Sequence, residues 1–321
     1  MKKILILFGG PSHEHTISCK SAETILKNID YSRYDVTTVG ITKENTWLLI
    51  PNNTPLEDSW PTHKTTVILD IIPFLKTFDK VFSIIHGSPC ESGELLALFQ
   101  LFNINYVGSN YQSSLISYDK ELTKIVLSKH NIPIIPYITI KENKKIKSIP
   151  LSFPVIIKPA KCGSSLGINI ATNIKELNKY LKIAFNYDDK VIIEKYIKSR
   201  ELECAILKNK KTIISPVGEI RASNTFYDYE AKYDKESTLI IPAKISPELT
   251  KEITNLTTTI SNILSISNLA RFDFLYDYHE EKLYFNEVNT IPGFTSSSMY
   301  PLLFNYLGIP LKELITILID N

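Results

Sequence analysis

Short apolar runs rich in β-branched residues alternate along this chain with segments of helical spacing. The run from Ile4 to Phe8 ends in a Gly-Gly-Pro turn, and residues 18–29 after it place apolar side chains on one helical face. Apolar runs at 36–41 and 81–85, and a helical pattern at 94–102, repeat this unit. Strand, turn and helix in this succession predict a doubly wound parallel sheet over the first third of the chain, with ligands bound where the strands end.

The other two thirds of the chain also mix helix and strand patterns, so the predicted fold class is α/β with α+β character. Helices are predicted at 113–129, 174–185, 247–264 and 311–319, and strands at 155–158, 167–170, 191–196, 201–207, 212–217, 271–275 and 285–289. We predict an N-terminal domain at 1–110, a central part at 111–192 and a C-terminal part at 193–321 with a lid loop at about 221–238.

Composition excludes several classes of function. The 321 residues carry a net charge of +2, and no segment concentrates positive charge as a nucleic-acid-binding surface would. No apolar run approaches the roughly 18 residues that would span a bilayer, and the apolar start of the chain lacks the cleavage site of a signal peptide. The four cysteines are far apart and form no CxxC pair. We therefore expect a cytoplasmic protein with reduced thiols and no membrane or nucleic-acid partner.

Charged and amide side chains alternate on two predicted strands near the C-terminus. Arg271 and Asp273 project from one face of the first strand, and Glu287 and Asn289 share a face of the second. If residues 277–282 form a hairpin turn, these side chains converge on one patch. Carboxylate and amide oxygens suit Mg²⁺, particularly with phosphate completing its coordination. The alternative is the solvated face of an antiparallel sheet, which normally carries charges.

A second candidate begins where a predicted strand ends in Lys158 and continues through Gly163-Ser164-Ser165 to Gly167. Backbone N–H groups and a cation in such a loop could bind a polyphosphate. The sequence is not a Walker A loop, and a plain hairpin turn is the alternative.

Two further segments have the composition of binding loops. Residues 224–233 are polar and aromatic without periodicity, which is typical of a lid in a compact domain. Residues 290–298 join a Pro-Gly turn to a run of hydroxyl side chains, and their N–H groups could form an oxyanion site or merely a connecting loop.

The order of these segments resembles the ATP-grasp enzymes and, within them, the D-alanine–D-alanine ligase family. The resemblance covers nearly the whole chain and rests on ordered blocks, which are Phe8 to Ser18, His86-Gly87 with Glu91 and Gly93, Tyr118 to Lys120, Lys158-Pro159 with residues 163–167, Glu194 to Ile197 with Glu201, Phe226 to Tyr233, Arg271 with Asp273, and Glu287 to Gly293. It implies an ATP-grasp fold behind an N-terminal doubly wound domain.

The resemblance also implies the groups that bind ATP and metal. Lys120 and Lys158 would neutralise the ATP phosphates, and Lys232 would close over them from the lid. Adenine and ribose would be held by Glu194, by the backbone of Lys195, Tyr196 and Ile197, and by Glu201. Two Mg²⁺ ions, or Mn²⁺ as a substitute, would be held by Asp273, Glu287 and Asn289.

The implied reaction joins two D-alanine molecules through a D-alanyl phosphate, because a free carboxylate is too poor an electrophile for an amine. The first D-alanine would be bound by Glu14 and positioned by His86, and Ser164 and Tyr233 would link the lid to Glu14. Arg271 and the Gly293 N–H would stabilise the oxyanion. Ser298 and the backbone of Met299 would bind the carboxylate of the second substrate.

The choice of the second substrate depends on few of these contacts. Tyr233 and Met299 are typical of D-Ala–D-Ala ligases, whereas the Glu14-His15 pair and the non-acidic Cys162 are closer to ligases that make D-Ala–D-Ser or D-Ala–D-lactate. Other ATP-grasp carboxylate–amine ligases and a non-catalytic nucleotide-binding protein are further alternatives. An oxidoreductase is disfavoured, since the GxGxxG motif is missing. Family members are often dimers through the N-terminal domain, so a homodimer is expected from the resemblance alone.

Three positions depart from the family pattern. Cys90 replaces a glycine, and if that position has a positive φ the replacement costs about 1–2 kcal/mol. Ser92 replaces an aspartate and is expected to cap the following helix. Cys162 replaces a commonly acidic or polar residue beside the phosphate loop. We expect its thiol to be merely packed, while the sharper hypothesis is that alkylating it blocks ATP binding.

Overall fold

The computed structural model describes residues 1–51, 56, 65–142, 144–221 and 238–321. Lys232, Tyr233 and nearly all of the lid predicted at about 221–238 lie outside the described residues. Among the described residues no single helix is long and apolar enough to cross a bilayer, and only the last two helices, bent by 102° relative to each other, pass that test as a pair.

The N-terminal part contains the predicted parallel sheet. Its elements are β1 (Lys2–Gly9), α1 (His15–Asn28), β2 (Tyr34–Ile41), β3 (Trp47–Ile50), β4 (Thr66–Val67), α2 (Ile71–Leu75), β5 (Lys80–Ser83) and α3 (Glu94–Leu101). The strand order is β4-β3-β2-β1-β5, and β1 is parallel to both β2 and β5. The unbroken apolar run from Ile4 to Phe8 is fully buried, as expected for a central parallel strand covered on both faces. The antiparallel β3 and β4 extend the sheet at one edge and had no strong sequence signal.

The predicted helix at 113–129 is two helices, α4 (Tyr111–Tyr118) and α5 (Lys120–Ser128). Asp119 between them is extended, with φ −86° and ψ 104°, and its carboxylate accepts hydrogen bonds from the first N–H groups of α5. The single-helix prediction is therefore wrong, because a capping aspartate offers the backbone an alternative to continuing the helix.

The middle sheet is antiparallel and has the order β6-β9-β7-β8. Its elements are β6 (Tyr137–Ile140), β7 (Val155–Pro159), β8 (Asn169–Ala171), α6 (Ile174–Ala184) and β9 (Val191–Lys195). The Gly-Ser loop connects β7 to β8, and α6 packs on these strands through Leu177 and Leu181.

The third sheet has the order β13-β12-β10-β14-β15, with β11 paired to β10. Its strands are β10 (Arg200–Lys208), β11 (Thr212–Ile214), β12 (Gly218–Arg221), β13 (Thr238–Ile240), β14 (Leu269–Asp277) and β15 (Lys282–Asn289). Within the described ranges the remaining helices are α7 (Pro247–Ile263), α8 (Met299–Tyr306) and α9 (Leu311–Asp320). The strand predicted at 212–217 ends at Ile214. Residues of α8 and α9, such as Leu303 and Leu314, join the apolar core that surrounds β1, so the end of the chain returns to the first sheet.

Candidate active site

A cavity of about 940 Å³ lies where the ends of β5 and β15 approach α1 and the Gly-Ser loop. Its lining includes many of the predicted site residues, namely Glu14, His86, Lys120, Ser164, Arg271, Glu287, Asn289, Gly293, Ser298 and Met299. Other predicted residues are not part of this lining: Lys158 lies on β7, Glu194 and Lys195 on β9, Glu201 on β10 and Asp273 on β14, while Tyr196 and Ile197 follow β9.

The Gly-Ser loop reaches across the molecule to Glu14. Ser164 donates a hydrogen bond to Glu14 Oε1, although the two residues are 150 positions apart. A Cβ atom at Gly163 would lie 2.6 Å from Glu14 Oε2, so any other residue here would displace the carboxylate. Ser164 and Ser165 have φ values of 53° and 58°, and such left-handed conformations are uncommon outside glycine. The loop therefore supports a carboxylate that opens into the cavity.

The predicted convergence of charges on β14 and β15 is present. Arg271 pairs with Asn289 in register, and Asp273 pairs with Glu287. Arg271 binds both oxygens of Asp273 at 2.8 Å, and Asn289 donates to Asp273 Oδ2 at 3.0 Å. Glu287 Oε2 lies 3.5 Å from Lys120 Nζ.

A β-bulge sets this register. From Asp277↔Lys282 to Phe274↔Phe285 the hairpin pairs without a break, and continuing that register would put Asn286 opposite Asp273. The irregularity after Asp273 inserts one residue and brings Glu287 there instead. The displaced Asn286 accepts a hydrogen bond from Lys158 Nζ at 3.1 Å. One extra residue thus places two carboxylates side by side.

The oxygen donors of this patch fit a hard cation. Asp273 and Glu287 supply carboxylates and Asn289 an amide, which is the donor chemistry that Mg²⁺ prefers. No group of three or more His, Cys, Asp or Glu side chains with metal-binding geometry occurs in the described part of the chain, so ligand oxygens would have to complete the coordination of an ion held here.

Arg271 is held from two sides. Glu203, which pairs with Asp273 in the neighbouring strand, lies 3.0 Å from Arg271 Nε through its Oε2. Burial lowers the pKa of Arg271, but Asp273 and Glu203 outweigh it and hold the pKa well above its ordinary value. The guanidinium therefore stays charged at the edge of the cavity.

Glu194 lies between two buried lysines. Its Oε1 is 2.8 Å from Lys124 Nζ and its Oε2 is 2.8 Å from Lys158 Nζ. Burial raises the pKa of Glu194, but the two cations outweigh it and hold the pKa at about 2. Both carboxylate oxygens thus face protein cations, an arrangement that the predicted contact with adenine did not anticipate.

The segment that follows Glu194 has most of its N–H groups paired. The Lys195 N–H donates to the Pro136 carbonyl and the Tyr196 N–H to the Pro154 carbonyl, both at 3.1 Å. Glu201 lies on the same face of β10 as Glu203 and opposite Leu275.

The loop after β15 is ordered by its own hydroxyl groups. Ser298 Oγ accepts from the Thr295 N–H at 3.0 Å and lies 2.7 Å from Thr295 Oγ1. A Cβ atom at Gly293 would lie 2.9 Å from Ser298 Oγ, so the two residues are in close contact. Met299 begins α8 and is buried against Gly218, where an added Cβ would lie 2.7 Å from its sulfur.

The loop after β5 corrects two expectations. Cys90 does not have a positive φ, so the premise of the strain cost is not met, and the left-handed positions are Gly87 and Gly93. Gly93 is the N-cap of α3 and no side chain caps this helix, so the capping role expected of Ser92 is wrong. Ser92 instead contacts the carboxylate of Glu94.

The third departure, Cys162, lines the cavity, and its carbonyl accepts from Lys120 Nζ at 2.8 Å. Burial raises the pKa of the Cys162 thiol to about 11.

Sequence reasoning missed several residues around the site. Glu91 is a buried carboxyl whose pKa is raised to about 8 by burial and by the nearby Glu14, and it accepts from the Gly87 N–H at 2.7 Å. Lys124 is one helical turn after Lys120, and Glu203 alternates with Glu201. These two spacings place Lys124 and Glu203 on the face of a predicted residue and were the available signals. Glu91 stands in the family block after His86 but had no role assigned to it.

Known proteins are similar to this protein along nearly the whole chain. The family model for the D-ala D-ala ligase N-terminus matches residues 3–109, and that for the D-ala D-ala ligase C-terminus matches residues 126–320. A D-alanine--D-alanine ligase of Caldicellulosiruptor bescii is 41% identical, over 99% of this chain and 94% of that protein.

Solved structures of similar proteins share the fold. The VanG D-Ala:D-Ser ligase from Enterococcus faecalis superposes with a TM-score of 0.85 and 33% identity, covering 99% of this chain and 98% of that one. The D-alanine-D-alanine ligase from Coxiella burnetii gives 0.84 and 29%, covering 99% and 93%. The ATP-grasp fold predicted from the sequence is confirmed, and the chain belongs to the D-alanine–D-alanine ligase family.

Proposed function

We propose that this protein joins two D-alanine molecules to D-alanyl-D-alanine at the expense of ATP, as a step in making peptidoglycan precursors. The observation that carries the proposal is the cavity. Glu14, whose carboxylate can bind the ammonium of an amino acid, and the charged patch of β14 and β15 face the same space. Glu14 and Arg271 lie on its walls, together with Gly293 and Ser298. Such a space can hold an amino acid and a phosphate group in contact.

The proposed chemistry proceeds in two steps. A carboxylate oxygen of the first D-alanine attacks the γ-phosphorus of ATP, ADP leaves, and D-alanyl phosphate forms. The amine of the second D-alanine, having lost a proton, attacks the acyl carbon, the C–O bond to phosphate breaks, and phosphate leaves. Water in the cavity would hydrolyse the acyl phosphate, which gives the lid predicted at about 221–238 its purpose. Lys232 and Tyr233 belong to that lid.

ATP would bind along the lysines beside the cavity. Lys120 and Lys158 would neutralise its phosphates, and the ion pair with Glu194 would hold Lys158 in place. In the described part of the chain no protein acceptor is found for the Ile197 N–H, which leaves this group for the adenine ring, whereas the N–H groups of Lys195 and Tyr196 are already used. Glu201 would hold the ribose.

Asp273, Glu287 and Asn289 would hold Mg²⁺, two ions by resemblance to the family, with Mn²⁺ as a substitute. When bound, the metal would neutralise charge that develops on the phosphate oxygens. The protein itself would position the metal ligands, since the bulge in β15 keeps the two carboxylates adjacent.

The first D-alanine would be oriented by Glu14, which Ser164 holds, with its ammonium on the carboxylate. Arg271 and the Gly293 N–H would stabilise the oxyanion of the tetrahedral intermediate. The carboxylate of the second substrate would lie against Ser298 and the start of α8 at Met299. A helix N-terminus of this kind favours a negative charge.

A second candidate is ligation of D-alanine to D-serine, because the VanG D-Ala:D-Ser ligase is similar over the whole chain. The contacts that would separate the two acceptors are few, and Tyr233 lies outside the described residues. We further propose the domain division at 1–110, 111–192 and 193–321, a cytoplasmic location and a homodimer.

The test is phosphate release from Mg-ATP with D-alanine alone, and then with D-serine or D-lactate as competing acceptors, with the products resolved by mass. A dominant D-alanyl-D-alanine product is expected. A mixed product would retain the mechanism and change the acceptor, whereas ATP turnover that does not respond to D-alanine would overturn the proposal.

A further inference from the structure

A buried hydroxyl on α1 connects two loops of the cavity. Ser21 is fully buried, and its Oγ lies 3.0 Å from His86 Nε2 and 3.2 Å from the Phe294 nitrogen. His86 follows β5 and Phe294 follows β15, so three distant segments meet at one oxygen atom.

The partners determine where each proton lies. His86 Nδ1 is 2.9 Å from the Ile291 carbonyl, which can only accept, so Nδ1 carries the hydrogen. In the neutral ring Nε2 is then an acceptor, and Ser21 donates to it. The Phe294 N–H donates to the same hydroxyl, so Ser21 both donates and accepts a hydrogen bond and its orientation is set. Burial lowers the pKa of His86, consistent with a neutral ring.

The same contacts brace the loop that carries Gly293. Glu91 Oε1 accepts from the Ile291 N–H at 3.3 Å, His86 binds the Ile291 carbonyl, and Ser21 binds the Phe294 N–H. These three contacts bracket the Pro292–Gly293 peptide from both sides. The proline ring fixes φ at residue 292. Side chains outside this loop therefore hold the backbone on both sides of the Gly293 N–H, in addition to the contacts within the loop.

We propose that Ser21 is a positioning residue for ligation, whose hydroxyl holds the His86 ring through Nε2 and the Phe294 N–H in place, and thereby aims the Gly293 N–H into the cavity. Both ring nitrogens of His86 are used by protein groups, so His86 acts through this loop rather than on the first substrate. The inference rests on the proposed role of Gly293 in the ligation reaction.

Ser18 supplies a matched control on the same helix. It is also a fully buried serine with two hydrogen bonds, since it donates to the Ile84 carbonyl at 2.7 Å and accepts from the Gly9 N–H at 2.8 Å. Its partners lie at the end of β1 and directly after β5, and neither belongs to the loop after β15. Ser18→Ala and Ser21→Ala should therefore lower the folding free energy by comparable amounts. Only Ser21→Ala frees the His86 ring and the Phe294 N–H.

The experiment compares kcat, the KM for ATP and the melting temperature of the wild type, Ser21→Ala and Ser18→Ala in D-alanine-dependent phosphate release. We expect Ser21→Ala to lower kcat about 10- to 100-fold with an unchanged KM for ATP, because losing one oxyanion donor outright costs about 10²–10³. Ser18→Ala should lower the melting temperature by about as much as Ser21→Ala and keep the kcat of the wild type. Where Ser21→Ala fails to fold, Ser21→Cys, which is close in volume and a weaker donor, takes its place under the same criterion.

A second readout is independent of turnover. In ¹⁵N spectra of histidine-labelled protein, His86 should be an Nδ1–H tautomer in the wild type, and its Nε2 resonance should shift in the Ser21 variant, where no hydroxyl donates to that nitrogen. Equal kcat in the Ser21 variant and the wild type, or equal losses in both serine variants, would overturn the inference while leaving ligation intact. A wild type that forms no dipeptide would overturn the proposed function and this inference together.

Discussion

Replacing Glu194 with glutamine would leave two buried lysines without their shared counter-charge. The side chains of Lys124 and Glu194 are each 1% exposed and that of Lys158 is 7% exposed, and each ammonium lies 2.8 Å from a different oxygen of Glu194. Burial lowers the pKa of Lys124. The carboxylate therefore stabilises both cations in a place that water does not reach.

The size of the effect follows from the pKa of Glu194. Burial raises the pKa of Glu194 and the two lysines lower it by more, so that the net change is from 4.5 to about 2. At 1.36 kcal/mol per pH unit this corresponds to roughly 3 kcal/mol of folding free energy. Removing one partner of a buried pair costs about 3–5 kcal/mol by mutational experience, which agrees. Because the folded-state pKa is depressed, this contribution is complete above about pH 4.5 and is lost as the pH falls towards 2, so measurement at pH 7.5 captures all of it.

We expect Glu194→Gln to melt roughly 6–12 °C below the wild type, since 1 kcal/mol corresponds to about 2–4 °C in domains of 150–250 residues. Adding Lys124→Met should restore part of the loss, because only one buried cation then remains. The control is Glu142→Gln. Glu142 pairs with Lys144 at 2.9 Å, nearly the same separation, but the two side chains are 72% and 70% exposed, so its melting temperature should not change.

The assay is thermal unfolding followed by far-ultraviolet circular dichroism. A melting temperature of Glu194→Gln that matches the wild type would refute the reasoning about buried charge. So would a double variant that is no more stable than Glu194→Gln, since relief of lysine repulsion would then not be the cause.

Three further outcomes are expected. Glu287→Gln should abolish most D-alanine-dependent phosphate release by removing a carboxylate from the proposed metal site, and near-wild-type turnover would refute that assignment. Burial raises the pKa of Cys162 to about 11, so its alkylation by iodoacetamide, measured by mass spectrometry, should accelerate as the pH rises from 7 to 10. The fully buried Cys90, with a pKa of about 12, should stay unmodified. An alkylation rate of Cys162 that does not vary with pH would contradict this. Gly218→Ala should push Met299 aside and raise the KM for the second D-alanine more than the KM for ATP in initial-rate kinetics, and equal changes in both constants would argue against that contact.

Local patterns predicted most of the elements. The apolar run of β1 and the helix after it follow from side-chain periodicity, which depends only on neighbours in sequence. The break at Asp119 was not predicted, because an aspartate in a helical pattern is equally compatible with an exposed position and with a cap. The short strands β3 and β4 were missed for a similar reason, since they are stabilised by pairing along β2 rather than by their own composition.

The sequence by itself determined that Arg271 and Asp273 share one face of a strand and that Glu287 and Asn289 share a face of the next, because side chains alternate along any strand. It could not determine the one-residue bulge that puts Glu287, rather than Asn286, opposite Asp273. A register is a relation between two strands, and an irregular one is decided by the packing around both. The contacts of Ser164 with Glu14 and of Ser21 with His86 and Phe294 likewise join segments that are far apart in the chain. Only the tertiary structure decides them, since no local pattern encodes which buried hydroxyl meets which distant partner.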